Sequence, residues 1–290
     1  MRLALIGVGL IGASAAWAMK RGGVFETVSA FDLSAQSARK AVEMGIADTA
    51  ADTLEACVQG ADAVMVAVPV LAIEKVMAQI EPFLRDETLV TDVGSVRGVV
   101  IEGARRALKE KFVNYAPVHP IAGGEMPGVD YADADLFVGA KAISTPVADI
   151  GDRAVQFWEN AWKTAGSDLL RMTPEEHDAV FASVSHLPHL LSYAMVDSIL
   201  NTGSAERKLS LAGAGFRDFT RIAASSPEMW VDIFRANKEA VLEALSYFEK
   251  DLALLRQAVE NDEVEVTRAI FARAAEARRR IAPHLPPKRK

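Results

Sequence analysis

Four of the five histidines fall between positions 119 and 189, in three different settings. His119 stands in Val118-His119-Pro120, at the end of an apolar run and just before Gly123-Gly124-Glu125. At the carboxyl edge of a parallel sheet, where ligands bind, a neutral imidazole can accept the hydroxyl proton of a substrate that loses hydride. A structural strand-end histidine is the other reading. Ser185-His186-Leu187-Pro188-His189 sets two imidazoles three apart, on one face of a helix. The acidic or cysteine ligands of a zinc pattern are missing around them, so no metal is expected; the pair reads as an anion site or as core. His177 precedes His186 by nine positions, about 180° round an ideal helix, and is not expected to join it. Arg221 closes Asp218-Phe219-Thr220-Arg221 in an apolar, glycine-broken stretch. A guanidinium there calls for a carboxylate, supplied by substrate or by Asp218.

Hydride chemistry needs a carrier, and the opening of the chain offers one a seat. Gly7-Val8-Gly9-Leu10-Ile11-Gly12 follows a predicted strand and starts a predicted helix. The first glycine permits the tight turn, the second lets a pyrophosphate approach the backbone, and the third lets the helix pack on the sheet. Asp32 lies 20 positions beyond Gly12 at the end of the second strand. A carboxylate there accepts ribose hydroxyls and repels a 2′-phosphate, so NAD is expected rather than NADP. Val68 and Pro69, ending a further strand, complete the expected cofactor set of Gly7, Gly9, Leu10, Ile11, Gly12 and Asp32.

The elements that would position these groups are legible as alternating patterns. Strands are predicted over Leu3–Ile6, Val28–Phe31, Ala63–Val68, Thr88–Asp92, Phe112–Val118 and Ala140–Ser144, with helices over Ser34–Met44, Val70–Phe83 and Arg97–Lys111. This is an α/β chain: an N-terminal doubly wound, Rossmann-type parallel sheet over 1–165, followed by an all-α domain over 166–290. Thr173-Pro174-Glu175-Glu176 is a capping box that opens the helical part. Pro188 should kink the long apolar helix, 202–224 reads as a broken connection, Ser226-Pro227 should open a helix reaching about Glu260, and a last helix should run from about Glu263 to Ile281.

Composition narrows the function classes. With 290 residues, 50% of them hydrophobic, a large core can form. A net charge of −7 provides no general positive field for nucleic acid or an anionic membrane, so anions must be caught by a few local cations. The basic ending, Arg278 to Arg280 and Lys288 to Lys290, reads as a solvated tail. A lone cysteine, Cys57, fits a reducing compartment, and a cytoplasmic location is expected. Arg2 before the apolar stretch Leu3–Met19 imitates a secretory leader, but the glycine spacing and the βαβ unit downstream oppose that reading. No other apolar run is expected to span a membrane. Trp158, Trp162 and Trp17 read as core.

Together these motifs resemble the prephenate and arogenate dehydrogenase family of tyrosine biosynthesis. The resemblance covers nearly the whole chain and rests on Gly7-x-Gly9-Leu10-Ile11-Gly12, Asp92-Val93-Gly94-Ser95-Val96, His119-Pro120-Ile121-Ala122-Gly123-Gly124-Glu125, Ser185-His186-Leu187-Pro188-His189, and Gly215 to Ala223 leading to Met229-Trp230. It implies oxidative decarboxylation of prephenate by NAD, with arogenate as a further candidate substrate. By the same resemblance His119 accepts the C4 hydroxyl proton, Ser95 orients that hydroxyl, His189 and Arg221 hold carboxylates, and His186, Glu125 and Trp230 line the pocket. A homodimer built by the helical domain is also implied, as is tyrosine feedback acting, if present, at or near the active site. Gly124 departs from the threonine that relatives often carry before the glutamate. Two rival readings remain: a β-hydroxyacid or imine reductase using Lys238, and an NAD-binding protein without turnover.

Overall fold

The computed structural model describes residues 1–124 and 126–282. Glu125, expected to line the pocket, and the basic residues 288–290 lie outside the described residues. The chain opens with β1 (Arg2–Ile6), α1 (Leu10–Arg21), β2 (Thr27–Phe31), α2 (Ala35–Glu43), β3 (Thr49–Ala50), α3 (Leu54–Val58) and β4 (Ala63–Val66). It continues with α4 (Ile73–Ile80), β5 (Leu89–Asp92), α5 (Gly98–Leu108), β6 (Tyr115–Ile121), β7 (Lys141–Ser144), α6 (Asp152–Thr164) and β8 (Asp168–Arg171). Among the described residues these strands form one eight-stranded sheet in the order β3-β2-β1-β4-β5-β6-β7-β8.

From β3 to β6 every pairing is parallel, as the βαβ pattern predicts. The last two strands depart from the otherwise parallel pattern. β7 runs antiparallel to β6, and β8 runs parallel to β7. Between β6 and β7 the chain makes only a short turn at Val129–Tyr131 in place of a crossover helix, so it can return beside the strand it has just left. The sheet thus extends beyond residue 165, through Arg171.

The central strands are buried along their whole length, which suits their unbroken Val, Leu and Ala runs and the helices on both faces. One face packs Met19, Phe25, Trp158 and Trp162. The other packs Ile73, Met77, Ile80, Ile101 and Leu108. Trp158 and Trp162 are fully buried, as their spacing predicts, and truncating either to alanine should cost about 3 to 5 kcal/mol.

Helical structure follows in α7 (Pro174–Phe181), α8 (Leu187–Leu200), α9 (Ala205–Ser210), α10 (Ala214–Thr220) and α11 (Pro227–Ala236). Thr173 caps α7 by accepting from the Glu176 amide, with Pro174 in the first turn. Between α7 and α8 the ladder widens into a π turn over Ala182–His186. Pro188 has no N–H to give and its ring crowds the carbonyl four residues back, so the predicted kink appears here as an opened turn just ahead of the proline. By length and composition the run Pro174–Leu200 is apolar enough to cross a membrane, which the residue pattern alone did not single out. Two of its buried members, His177 and Phe181, nonetheless contact His119 in the sheet.

Ser226 caps α11 through the Met229 amide, but the helix expected to continue to about Glu260 stops at Asn237. It restarts as α12 (Lys238–Glu260), followed by α13 (Val264–Ile281). The chain divides into compact units at Met1–Lys238 and Glu239–Lys290. In the second unit, α12 and α13 are joined through Asp262 in the left-handed region.

Candidate active site

The glycine loop is built as its spacing predicts. Gly7 has φ +92°, and a Cβ there would lie 2.3 Å from the Ala67 carbonyl oxygen. A Cβ on Gly12 would meet the Gly7 carbonyl oxygen at 2.4 Å. Gly9 differs, since among the described residues nothing lies within 4 Å of where its Cβ would stand. Gly9 is also the N-cap of α1, and among the described residues no side chain occupies that cap. Leu10 and Ile11 follow it in the first turn, whose amide groups are therefore open to an anion. The Asp32 oxygens tie two loops together: one accepts the Val8 amide of the glycine loop at 2.7 Å, the other the Ser34 amide at the start of α2 at 2.8 Å. Val68 lies against Gly7, and Pro69 begins a short turn, Val70–Ala72, on which α11 packs. An open glycine cradle, an uncapped helix start and a fixed carboxylate at the second strand fit a dinucleotide.

One strand further along, a buried ion pair organises the segment that carries Ser95. Arg97 and Asp92 are both fully buried and meet through two hydrogen bonds of 2.8 and 2.7 Å. The Tyr115 hydroxyl donates to Asp92, the Arg97 guanidinium donates to the Gly94 carbonyl, and the Gly94 amide returns to Asp92. Removing one partner of such a pair would leave an uncompensated buried charge, at about 3 to 5 kcal/mol. Ser95 is half-buried in this clamped turn. Asp92 pairs with Pro117 in the parallel ladder, so Ser95 and His119 leave neighbouring strands at the same edge.

His119 sits within β6, one residue beyond the strand predicted for it, and pairs with Ile143. Its Nδ1 lies 2.8 Å from Nε2 of His177, and Nδ1 of His177 lies 2.8 Å from Asp178 Oδ1. Phe181 packs edge-on against His119, at 5.1 Å between centroids. Asp178 closes the chain of contacts by accepting the backbone amides of Arg97 and Gly98, each at 2.8 Å, so a side chain of α7 caps α5. His177 thus meets His119, a contact that its helical phase relative to His186 did not address, while His186 and His189 gather on Trp230.

Asn237 connects this group to the rest of the site. Its amide nitrogen donates to the Asp178 carbonyl at 2.9 Å and approaches His186 Nδ1 at 3.1 Å. His186 lies edge-on to Trp230, and His189 stacks on the same indole with centroids 3.6 Å apart. The Ser185 carbonyl lies 2.9 Å from His189 Nδ1. Arg221 is exposed and close enough to His189 for its charge to act on that imidazole. Asp218 pairs with Arg217 at 3.6 Å. Lys238, the lysine a reductase reading would need, is exposed.

The electrostatics keep the imidazoles uncharged. Burial above all, then the neighbouring charges of His177, Arg97 and His186, holds His119 well below the usual imidazole range. Burial lowers His177 even though Asp178 opposes it. Burial brings His186 down to about 4. Burial alone would raise Asp178, yet its bonds from His177 and the two α5 amides outweigh that and keep it below the usual carboxylate range. Sequence reasoning missed Arg97, Tyr115, His177, Asp178 and Asn237. Only Asp178, adjacent to a histidine and one turn from a cap, carried a local signal.

A dinucleotide cradle and a neutral imidazole on strands of one sheet, with two further histidines gathered on Trp230, define an NAD-dependent oxidoreductase of the Rossmann class. The chain belongs to the prephenate dehydrogenase family: the family's nucleotide-binding domain matches residues 15–170 and its dimerization domain residues 173–273. It is 34% identical over 278 residues to a cyclohexadienyl dehydrogenase of Zymomonas mobilis, covering 95% of this chain and 94% of that one. It is 34% identical over 269 residues to a prephenate dehydrogenase of Bacillus subtilis, covering 90% of this chain and 71% of that one. Among solved structures, prephenate dehydrogenase from A. aeolicus in complex with hydroxyphenyl propionate and NAD+ superimposes with a TM-score of 0.91 at 33% identity, covering 97% and 98% of the two chains.

Proposed function

We propose that this chain oxidises and decarboxylates prephenate to 4-hydroxyphenylpyruvate, with arogenate as a second candidate substrate. The observation that carries the reading is the join between its two halves: an uncharged His119 at the edge that adjoins the dinucleotide loop, linked through His177, Asp178 and Asn237 to His186, Trp230 and His189. Relatives bearing the names prephenate and cyclohexadienyl dehydrogenase, and a neighbour that holds a hydroxyphenyl acid with NAD+, support it.

When bound, NAD supplies the acceptor for the hydride leaving C4 of the ring. His119 takes the hydroxyl proton as that hydride departs, and Ser95, on the neighbouring strand end, orients the hydroxyl. A weakly basic imidazole suffices, because loss of hydride makes the hydroxyl strongly acidic. Departure of the C1 carboxylate as CO2 then restores aromaticity, and the proton returns to the oxygen as a phenol. Arg221 and His189 grip the acid groups, and Trp230 walls the pocket. Among the exposed apolar side chains Leu242, Tyr247, Leu252 and Phe271 lie within the family's dimerization domain, which supports a homodimer. Tyrosine, sharing the ring and side-chain carboxylate of the product class, would compete at this same site, and the buried lone thiol of Cys57 accords with a cytoplasmic setting.

Absorbance at 340 nm with NAD and prephenate tests the activity directly. In His119→Asn, kcat should fall by ~10² to 10⁴ while prephenate still binds; near-normal turnover would remove the base assignment.

A further inference from the structure

We infer that His177 and Asp178 form a positioning dyad that fixes the tautomer of His119, leaving the lone pair of its Nε2 free to take the substrate's proton. The inference rests on the reading of His119 as proton acceptor and adds residues that neither the motifs nor the family resemblance assign.

The hydrogen-bonding sense of Asp178 is fixed by its partners. Asp178 accepts backbone amides from both Arg97 and Gly98, at the start of α5, where the helix dipole favours an anion. Its carboxylate is therefore ionised and can only accept. The contact from His177 Nδ1 to Asp178 Oδ1 at 2.8 Å then requires the proton on Nδ1. His177 is fully buried and uncharged, so its Nε2 carries a lone pair. The contact of that Nε2 with His119 Nδ1 at 2.8 Å in turn requires a proton on His119 Nδ1. A neutral His119 is left with an unprotonated Nε2, the atom a general base needs. Without the dyad the imidazole is free to take the opposite tautomer, which presents a donor where an acceptor is required.

The second consequence concerns the protonated state. Once His119 accepts a proton it is an imidazolium whose Nδ1–H already points along a hydrogen-bonded chain to an anion. Arg97, Asp92 and Tyr115 from the sheet side and His186 from the helical side complete the charged and titratable surroundings. Among these, Asp92 is already neutralised by Arg97, which leaves Asp178 as the counter-charge for the imidazolium.

Nitrogen-15 NMR of protein labelled in the histidine rings reads the tautomer directly. In the native protein at neutral pH, His119 should show a protonated Nδ1 and an unprotonated Nε2. The reverse pattern overturns the inference, whatever the turnover, so this outcome is distinguishable from failure of the base assignment in His119→Asn. Kinetics supply the second arm. His177→Phe keeps a flat ring but removes the acceptor, and should lower kcat by ~10² with prephenate KM and NAD affinity within about twofold. His177→Gln, whose side-chain oxygen can accept from His119, should recover most of that loss. A His177→Phe enzyme with native kcat, or a His177→Gln enzyme no better than the phenylalanine variant, overturns the inference. Should His177→Phe fail to fold, the measurement on native protein decides alone.

Discussion

On the proposed reading, Arg221 and His189 are how an acidic protein would hold a dianion with few cations. His189 is lowered by burial, against the Ser185 carbonyl that raises it, and further by Arg221, which favours its neutral form before an anion arrives. Nδ1 faces the Ser185 carbonyl and is its donor, which leaves Nε2 to face a substrate carboxylate. Binding should therefore take up a proton: KM for prephenate is expected to climb as pH rises above the lowered pKa of the free imidazole, and to lose most of that dependence in His189→Asn. Arg221→Ala should raise KM by about 10- to 100-fold with kcat little changed, since a contact made in ground and transition states alike is uniform binding. Steady-state kinetics separates these outcomes, and an Arg221→Ala enzyme with unchanged KM would move the carboxylate site elsewhere. At Asp32 the same scale of effect applies to the cofactor. Because its oxygens also hold the Val8 and Ser34 amides, Asp32→Asn should both raise KM for NAD and lower Tm.

At the level of elements, the glycine loop offers a paired experiment. Gly7→Ala forces a methyl group to within 2.3 Å of a backbone oxygen at φ +92°, so it should depress Tm sharply. Gly9→Ala meets open space among the described residues and has an ordinary backbone. It should fold with a loss of about 1 kcal/mol or less, yet bind NAD poorly, because the added methyl stands where the pyrophosphate approaches. A Gly9→Ala protein with native NAD affinity would mean that the cofactor lies off this loop. These positions were legible because glycine spacing encodes backbone demands directly. The π turn was not: Pro188 announces a disturbance, but whether the ladder breaks, kinks or widens depends on the packing of His177, Phe181 and His186. Asn237 was equally silent, since its neighbours read as continuous helix while its side chain is held by Asp178 and His186.

For the molecule as a whole, the buried imidazoles set the acid limit of stability. His186 drops from 6.5 to about 4 on folding; above 6.5 both native and unfolded chains leave it neutral. Between those values only the unfolded chain binds the proton, so stability is complete above about pH 6.5 and is lost as pH falls toward 4. The slope reaches about 1.4 kcal/mol per pH unit for each histidine held neutral, and His119 and His177 act in the same direction. Urea denaturation should therefore show the protein at least about 2 kcal/mol less stable at pH 5 than at pH 7.5; an unchanged midpoint would mean that the histidines charge in place. The parallel half of the sheet was readable from β-branched runs, whereas the reversal at β7 depended on the missing crossover helix, and β3 at two residues is too short to leave a pattern.

The cap that Asp178 places on α5 also bears on modularity. A fragment cut after β8 would keep the eight strands of the described residues and the whole glycine loop, but α5 would begin with two bare amides and the Ser95 turn would lose its outer anchor. Transplanting the nucleotide-binding half onto a different substrate domain would therefore require carrying residues 173–186 along with it, because the graft's working boundary runs through a hydrogen bond instead of through a linker.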